Sequence, residues 1–241
     1  MESVMTDPCL VLLSGGIDST VLLHQLAAQR TGEKVVALAF DYGQRHVREL
    51  ECARWQAERV GARFRSVDLT FFGVLVRPST TLVKGAEPVP DLGNIAGPDR
   101  TQPPTYVPNR NMVLLAIAAA AAEAMGITQV YYGAQAQDEY GYWDCTPEFV
   151  ERINALLALN RRRPVTVAAP LVQHSKMDNV RLGLRLGVDF SRTWSCYRGE
   201  MPACGTCPTC MERLRAFALC GVLDPIPYAP AANIAQTQEN R

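Results

Sequence analysis

The sequence predicts an α/β fold: a doubly wound, mainly parallel five-stranded sheet with helices on both faces, followed by a small C-terminal helical segment rich in cysteine. Three observations predict it. Short apolar runs alternate with helical stretches from residue 9 onward, the pattern of βαβ units with right-handed crossovers. The 241 residues suit one domain, or one with a small appendage, at roughly 100–200 residues per domain. Four of the eight cysteines fall between Cys196 and Cys210, beyond the alternating region.

The elements follow in order. Cys9–Leu13 is an apolar run and the expected first strand, and Ser14–Asp18 is a glycine-rich turn. Ser19–Arg30 carries Val21, Leu22, Leu23, Leu26 and Ala27 at helical spacing, and Gly32 closes it. Val35–Phe40 is the second strand. Gln44–Val60 is a charged amphipathic helix stopped by Gly61, and Phe64–Leu69 is the third strand. Phe71 to Thr105 breaks the rhythm with six prolines. So long a loop is uncommon inside a compact domain, so the stretch is expected to be a functional lid or a partly disordered excursion. Order resumes with an alanine-rich helix over Pro108–Met125 and a fourth strand at Gln129–Gly133. Thr146–Leu159 reads as a helix with Thr146 as N-cap, Pro147 in the first position and Glu148 in the first turn. Val165–Ala168 is the fifth strand, and Ser175–Leu186 is a helix followed by Gly187. The last helix lies around Met211–Leu219, and the tail from Asp224 is expected to be loose.

Composition excludes several classes. With 24 Lys and Arg against 24 Asp and Glu the formal charge is zero, which argues against a protein that coats nucleic acid or an anionic membrane. The longest apolar run, Met112–Ala122, has eleven residues, well short of the roughly 20 needed to span a bilayer. Met1–Pro8 holds acids and no apolar signal core, so no secretory peptide is expected and a cytoplasmic location is. In such a compartment the clustered cysteines point to a metal rather than to disulfides.

Five motifs carry chemistry. Ser14-Gly15-Gly16-Ile17-Asp18-Ser19 stands between strand and helix. Its glycines let backbone amides approach an anion, and the helix N-terminus adds positive partial charge. No lysine follows the glycines, so this is not the common NTPase loop; the bland alternative is a turn in which Asp18 caps the helix. Asp41-Tyr42-Gly43-Gln44-Arg45-His46, running on to Arg48-Glu49-Leu50, follows the second strand, at the edge where open α/β sheets bind ligands. His46 reads as an exposed helix histidine. Tyr106–Met112 places Arg110 beside a helix start, where it can hold a phosphate or carboxylate, or where Asn109 or Asn111 simply caps. Gly133–Cys145 packs Asp138, Tyr142 and Asp144 into a loop that could stack a planar heterocycle and accept hydrogen bonds from its amino edge; Cys145 reads as buried or pocket-lining. Cys196, Cys204, Cys207 and Cys210 have the spacing of a closed four-thiolate Zn²⁺ knuckle, with an iron–sulfur cluster as the rival. His24, Cys9, Cys52 and Cys220 read as structural, and Arg161–Arg163 as a solvated helix end. Lys176, at a helix start that does not favour a cation, suggests a bound phosphate.

The Ser14–Ser19 loop resembles the pyrophosphate loop of the adenine-nucleotide alpha-hydrolases, the PP-loop ATPases. Taken with Asp41–His46, Val107–Asn111, Gly141–Phe149 and Thr193–Cys210, from about residue 9 to residue 220, the chain resembles the 7-cyano-7-deazaguanine synthases. The resemblance implies a PP-loop α/β domain over 9–190, a zinc-binding segment over 191–222 and a tail over 223–241. It implies a homodimeric enzyme using ATP, Mg²⁺ and Zn²⁺. That enzyme would adenylate 7-carboxy-7-deazaguanine, let ammonia form the amide, and use a second ATP to make the nitrile. Ser14, Gly15, Gly16, Ile17, Asp18 and Ser19 would hold ATP, with Asp18 and Ser19 catalytic. Arg110, Asp138, Tyr142 and Asp144 would contact nucleotide or deazaguanine, and the four cysteines would bind zinc. No general base stands out. Glu139, Tyr140 and Trp143 depart from the family's usual loop, which leaves open an enzyme that stops at the amide or passes the acyl group to another amine. Other adenylating enzymes, such as tRNA-base thiolases, and a non-enzymatic zinc-knuckle module are the remaining alternatives. Direct nucleic-acid binding and membrane association are not expected.

Overall fold

A computed structural model of the chain describes residues 7–45, 48–95, 103–135, 142–199 and 201–230. The strand β2 (Val35–Asp41) is buried at every position but its last, as a strand covered on both faces must be. It lies between β1 (Cys9–Leu12) and β3 (Arg63–Asp68). β4 (Gln129–Tyr131) pairs with the other side of β1, and β5 (Thr166–Ala168) closes the row. The order is β3-β2-β1-β4-β5, with every pairing parallel. The chain therefore reverses its direction of travel between β1 and β4. In an open α/β sheet the crevice beyond the carboxyl ends of those two strands is where ligands bind.

Alternate residues of β1 and β2 feed two cores. Cys9, Val11, Val35, Ala37 and Ala39 pack with α1 (Ile17–Gln29) and α6 (Lys176–Arg185). Leu10, Val36, Leu38 and Phe40 pack with α4 (Arg110–Ala124) and α5 (Pro147–Leu157) on the opposite face. Thr146 caps α5, accepting from the Phe149 amide at 3.2 Å, and Ser175 and Asp178 form a reciprocal capping box on α6. α7 (Pro208–Leu219) joins the two cores, since Cys210 belongs to one and Phe217 to the other. Among the described residues no helix is long and apolar enough to cross a membrane.

Three expectations are corrected. The second helix, α2, spans Arg48–Arg59 rather than starting at Gln44. The Gln44 side chain is instead buried at the end of β2, accepting from the Tyr42 amide at 2.8 Å and donating to the Phe40 carbonyl at 3.0 Å. The stretch 71–105 is not one excursion. It contains most of α3 (Thr70–Val76), whose start is held by Asp68 accepting from the Thr70 amide, and it sends Leu82, Val83 and Val89 into the core. The tail is not loose as far as residue 230. Asp224 accepts from Arg213 at 2.7 and 2.9 Å and from the Tyr228 hydroxyl at 2.6 Å; residues beyond 230 lie outside those described.

The Arg213 and Asp224 side chains are 1% and 2% exposed. Removing one partner of such a pair leaves an uncompensated buried charge. Asp224→Ala is expected to lower stability by about 3–5 kcal/mol, read as the shift of the urea unfolding midpoint at unchanged slope.

Candidate active site at the sheet switch point

β1 delivers the chain into Ser14–Ser19 through tight local bonding. The Ser14 amide donates to Ser19 Oγ at 3.1 Å, the two hydroxyls are 2.9 Å apart, and the Gly16 amide donates to Ser14 Oγ at 3.2 Å. Gly15 has φ +88°, and a Cβ there would lie 2.0 Å from the Glu49 carbonyl oxygen. A Cβ on Gly133, after β4, would lie 2.9 Å from the Ser19 amide nitrogen. Only glycine permits either approach. Gly16 occupies the N-cap of α1 without a side-chain cap bond. The first-turn amides of a 13-residue helix thus border the cavity together with the two hydroxyls, a ready anion site.

Asp18 does not cap its own helix with its side chain. It receives Lys176 Nζ at 2.6 Å and Asn179 Nδ2 at 2.8 Å, both from α6. Lys176 also lies 3.3 Å from Glu212 of α7. The lysine that looked out of place at a helix start is therefore part of the wall beside the loop, held by two carboxylates.

The other end of the cavity is aromatic and acidic. The Tyr106 and Tyr142 rings stack at 6.2 Å and 19°, Thr105 Oγ1 sits 3.1 Å from the Tyr142 hydroxyl, and Trp143 Nε1 donates to the Tyr106 hydroxyl at 3.0 Å. Asp144 is buried and accepts from the Asn111 amide at 3.3 Å, and Asn111 Nδ2 approaches Cys145 Sγ at 3.4 Å. Asn111 thus ties the helix start to this loop, while Asn109 sits at the N-cap with φ +55° and no side-chain cap bond. Burial works against the Arg110 charge, but Tyr42, Tyr197, Asp144 and Cys145 outweigh it and hold the guanidinium charged. Both ends line one cavity of about 280 Å³. Of the candidates, Ser14, Gly16, Ile17, Asp18, Ser19, Arg110, Tyr142 and Asp144 line it, and Gly15 shapes the loop from behind. Asp138 lies outside the described residues, as do His46, Glu139 and Tyr140.

Sequence reasoning missed Glu49, which lines the same cavity. Burial pushes its carboxyl up from 4.5 to about 8, against the opposing pull of its bond from Gln44 and the Arg110 charge. Its position beside Gln44 in the Asp41–Leu50 motif is visible in the sequence; its desolvation is not. His24, by contrast, is buried against Gln56 Oε1 at 2.8 Å, a structural role.

The sulfurs of Cys196, Cys204, Cys207 and Cys210 all lie within 4.8 Å of one another. Tetrahedral Zn–S bonds of about 2.3 Å place sulfurs about 3.8 Å apart, and Cys204 and Cys210 are at 3.9 Å, so the group fits a metal ion. Backbone amides of Cys204 and Cys207 donate to Cys196 and Cys204 sulfurs at 3.4 Å, the bonding that steadies thiolates. This segment reaches the cavity directly. The Trp194 amide donates to the Gly15 carbonyl at 2.9 Å, and Ser195, Tyr197, Thr209 and Glu212 line the wall.

The family described as queuosine biosynthesis protein QueC matches residues 8–221. The 7-cyano-7-deazaguanine synthase of Marinobacter nauticus is 42% identical over 226 residues, covering 93% of this chain and 98% of that protein. Its counterpart from Caldicellulosiruptor bescii is 44% identical over 220 residues, covering 90% and 96%. That from Psychromonas ingrahamii is 39% identical over 224 residues, covering 93% and 99%.

The raised Glu49 carboxyl has a stability consequence. Between 4.5, its ordinary value, and about 8, the folded chain holds a proton that the unfolded chain has lost, so stability falls as pH rises through that window. Glu49→Gln, which cannot ionise, is expected to melt above wild type at pH 8, with the gap closing towards pH 4.5 in a thermal unfolding series.

Proposed function

Because the chain belongs to the queuosine biosynthesis protein QueC family, we propose that it converts 7-carboxy-7-deazaguanine and ammonia to 7-cyano-7-deazaguanine at the expense of ATP. The observation that carries this reading is the single cavity with an anion-binding loop at one end and a stacked aromatic pair with a buried acid at the other. The α1 amides, Ser14 and Ser19 bind the nucleotide phosphates, with Gly15, Gly16 and Ile17 setting the loop's shape. Asp18 holds Lys176 against the loop. The planar base stacks near Tyr142, Asp144 accepts from its amino edge, Arg110 pairs with its carboxylate, and Asp138 belongs to the same contact set.

The chemistry follows from leaving groups. A substrate carboxylate oxygen attacks the α-phosphorus, pyrophosphate departs, and the oxygen becomes part of a good leaving group. Ammonia then displaces AMP to give the amide. The amide oxygen attacks a second ATP, and loss of AMP leaves the nitrile. Fixed amides beside the phosphates stabilise the charge that develops there without reorganising. Mg²⁺ takes one or two carboxylates and substrate phosphates; since both Asp18 oxygens already receive Lys176 and Asn179, here it would be held mainly by the phosphates and would draw charge from the departing pyrophosphate.

The four-cysteine site is read as structural zinc, because four thiolates leave no open position for substrate. The exposed apolar face of α3 formed by Phe71, Val74 and Leu75 is consistent with a homodimer. The zero net charge fits a free base, rather than a nucleic acid, as substrate, and a cytoplasmic location completes the reading.

Incubation with 7-carboxy-7-deazaguanine, ammonium, Mg²⁺ and ATP is expected to yield nitrile with two AMP per product, by mass spectrometry. Amide without nitrile would mean that the second activation has been lost, and no AMP would overturn the reading. Native mass spectrometry is expected to find one zinc per chain. Chelation is expected to lower thermal stability and turnover together; stripped protein that keeps its stability but loses turnover would contradict a structural metal.

A further inference from the structure

Each half of the proposed reaction removes protons from nitrogen, and among the described residues the acids lining the cavity differ in their freedom to take them. Asp18 is held by Lys176 and Asn179, and Glu212 lies against Lys176. Asp144 accepts from the Asn111 amide and adds to the charge balance of Arg110. Glu49, in the first turn of α2, instead receives a neutral amide, Gln44 Nε2, at 3.1 Å. Gln44 is itself fixed by the Tyr42 amide and the Phe40 carbonyl, so the carboxyl is held in place and, among the described residues, no cation is hydrogen-bonded to it. Its backbone carbonyl packs against Gly15, which puts Glu49 where the phosphate loop and the Arg110 end of the cavity meet.

We propose that Glu49 is the general base of the reaction, accepting a nitrogen proton when the amide forms and again when the nitrile forms. This rests on the function proposed above. In the first half, the ammonia lone pair attacks the acyl-adenylate carbon, the C–O bond breaks with its electron pair leaving on AMP, and one N–H proton passes to Glu49. In the second half, attack of the amide oxygen on the α-phosphorus leaves an O-adenylated amide cation with two N–H bonds. One of these protons passes to solvent, and the other passes to Glu49, which has returned its first proton to solvent. The N–H electron pair becomes the third C–N bond, and the C–O pair leaves on AMP. A base works best with a proton affinity near the working pH, and burial raises Glu49 to about 8. The groups that face it and set this balance are Asp41, Tyr42 and Arg110.

The test starts from the carboxamide, ATP and Mg²⁺, so that ammonia's own titration is absent. For wild type, the rate of nitrile formation is expected to rise with pH and level off above about 8. Glu49→Gln mimics the protonated acid. It is expected to match wild type at low pH, to lose the rising limb and to be about 100-fold slower on the plateau, while still releasing pyrophosphate in the first turnover. Formate is expected to restore part of the rate to Glu49→Ala. A Glu49→Gln profile that tracks wild type would overturn the assignment, and so would a flat wild-type profile, which needs no variant at all. Wild type that makes no nitrile from either acid or amide would overturn the proposed function and this assignment with it. Nitrile from wild type with an unaffected Glu49→Gln would overturn the base alone.

Discussion

The site depends on one close approach. Gly15 lies so near the Glu49 carbonyl that a methyl group could not be placed between them, and its own carbonyl accepts the Trp194 amide at 2.9 Å. The Ser14 and Gly16 amides bond to hydroxyls of the loop itself, and the first-turn amides of α1 that border the cavity gain their fixed direction from contacts outside the loop. Here α2 presses on one side and the cysteine segment holds the other. Three parts of the chain separated by more than thirty residues each are thereby locked into one small volume, at the point where the sheet changes direction.

That arrangement gives the metal segment a second connection to the loop. Cys207 and Cys210 anchor the start of α7, and α7 carries Glu212 to Lys176, which in turn grips Asp18. Arg213, one residue on, is buried on Thr193 Oγ1, the Phe190 carbonyl and Asp224. The folded end of the chain and the cysteine knuckle therefore brace the same helix. On the proposed reading, a metal closed by the four thiolates would still govern turnover through this route, because it would set where Lys176 and the loop stand. Stability and activity are then expected to move together rather than separately.

The elements legible in the sequence are those whose burial makes a pattern. β2 reads as a continuous apolar run because both of its faces are covered, and α5 and α6 announce themselves through Thr146, Pro147, Ser175 and Gly187. The close spacing of Cys204, Cys207 and Cys210 is legible as a knuckle, and the fold brings the sulfur of Cys196, eight residues upstream of Cys204, to within 4.8 Å of theirs. The failures also have physical reasons. Gln44 belongs by composition to the amphipathic helix that follows, yet its amide serves the end of β2. α3 has apolar side chains on both sides, Phe72 and Val76 inward and Phe71 and Val74 outward, so no periodicity marks it. Asp224 gives no local hint of its partner, since Arg213 comes to it through the fold. Glu49 was hidden for the same reason: a glutamate in a charged helix reads as solvated until the packing around it is known.

The two ends of the cavity answer different demands. Both activations would strike the α-phosphorus with an oxygen borne on the same exocyclic carbon, so one loop and one base pocket can serve twice without rearrangement. What changes between the two passes is charge: the first acceptor is an anion and the second is neutral. Arg110, kept charged by the acids and tyrosines around it, favours the anion more strongly. In the proposed binding mode the amide must therefore be retained by contacts that do not depend on the carboxylate, and the Tyr106–Tyr142 stack and buried Asp144 would supply them. A cavity that relied on Arg110 alone would release the amide between the two steps. One in which stacking and the base edge provide most of the grip can hold the same molecule through both.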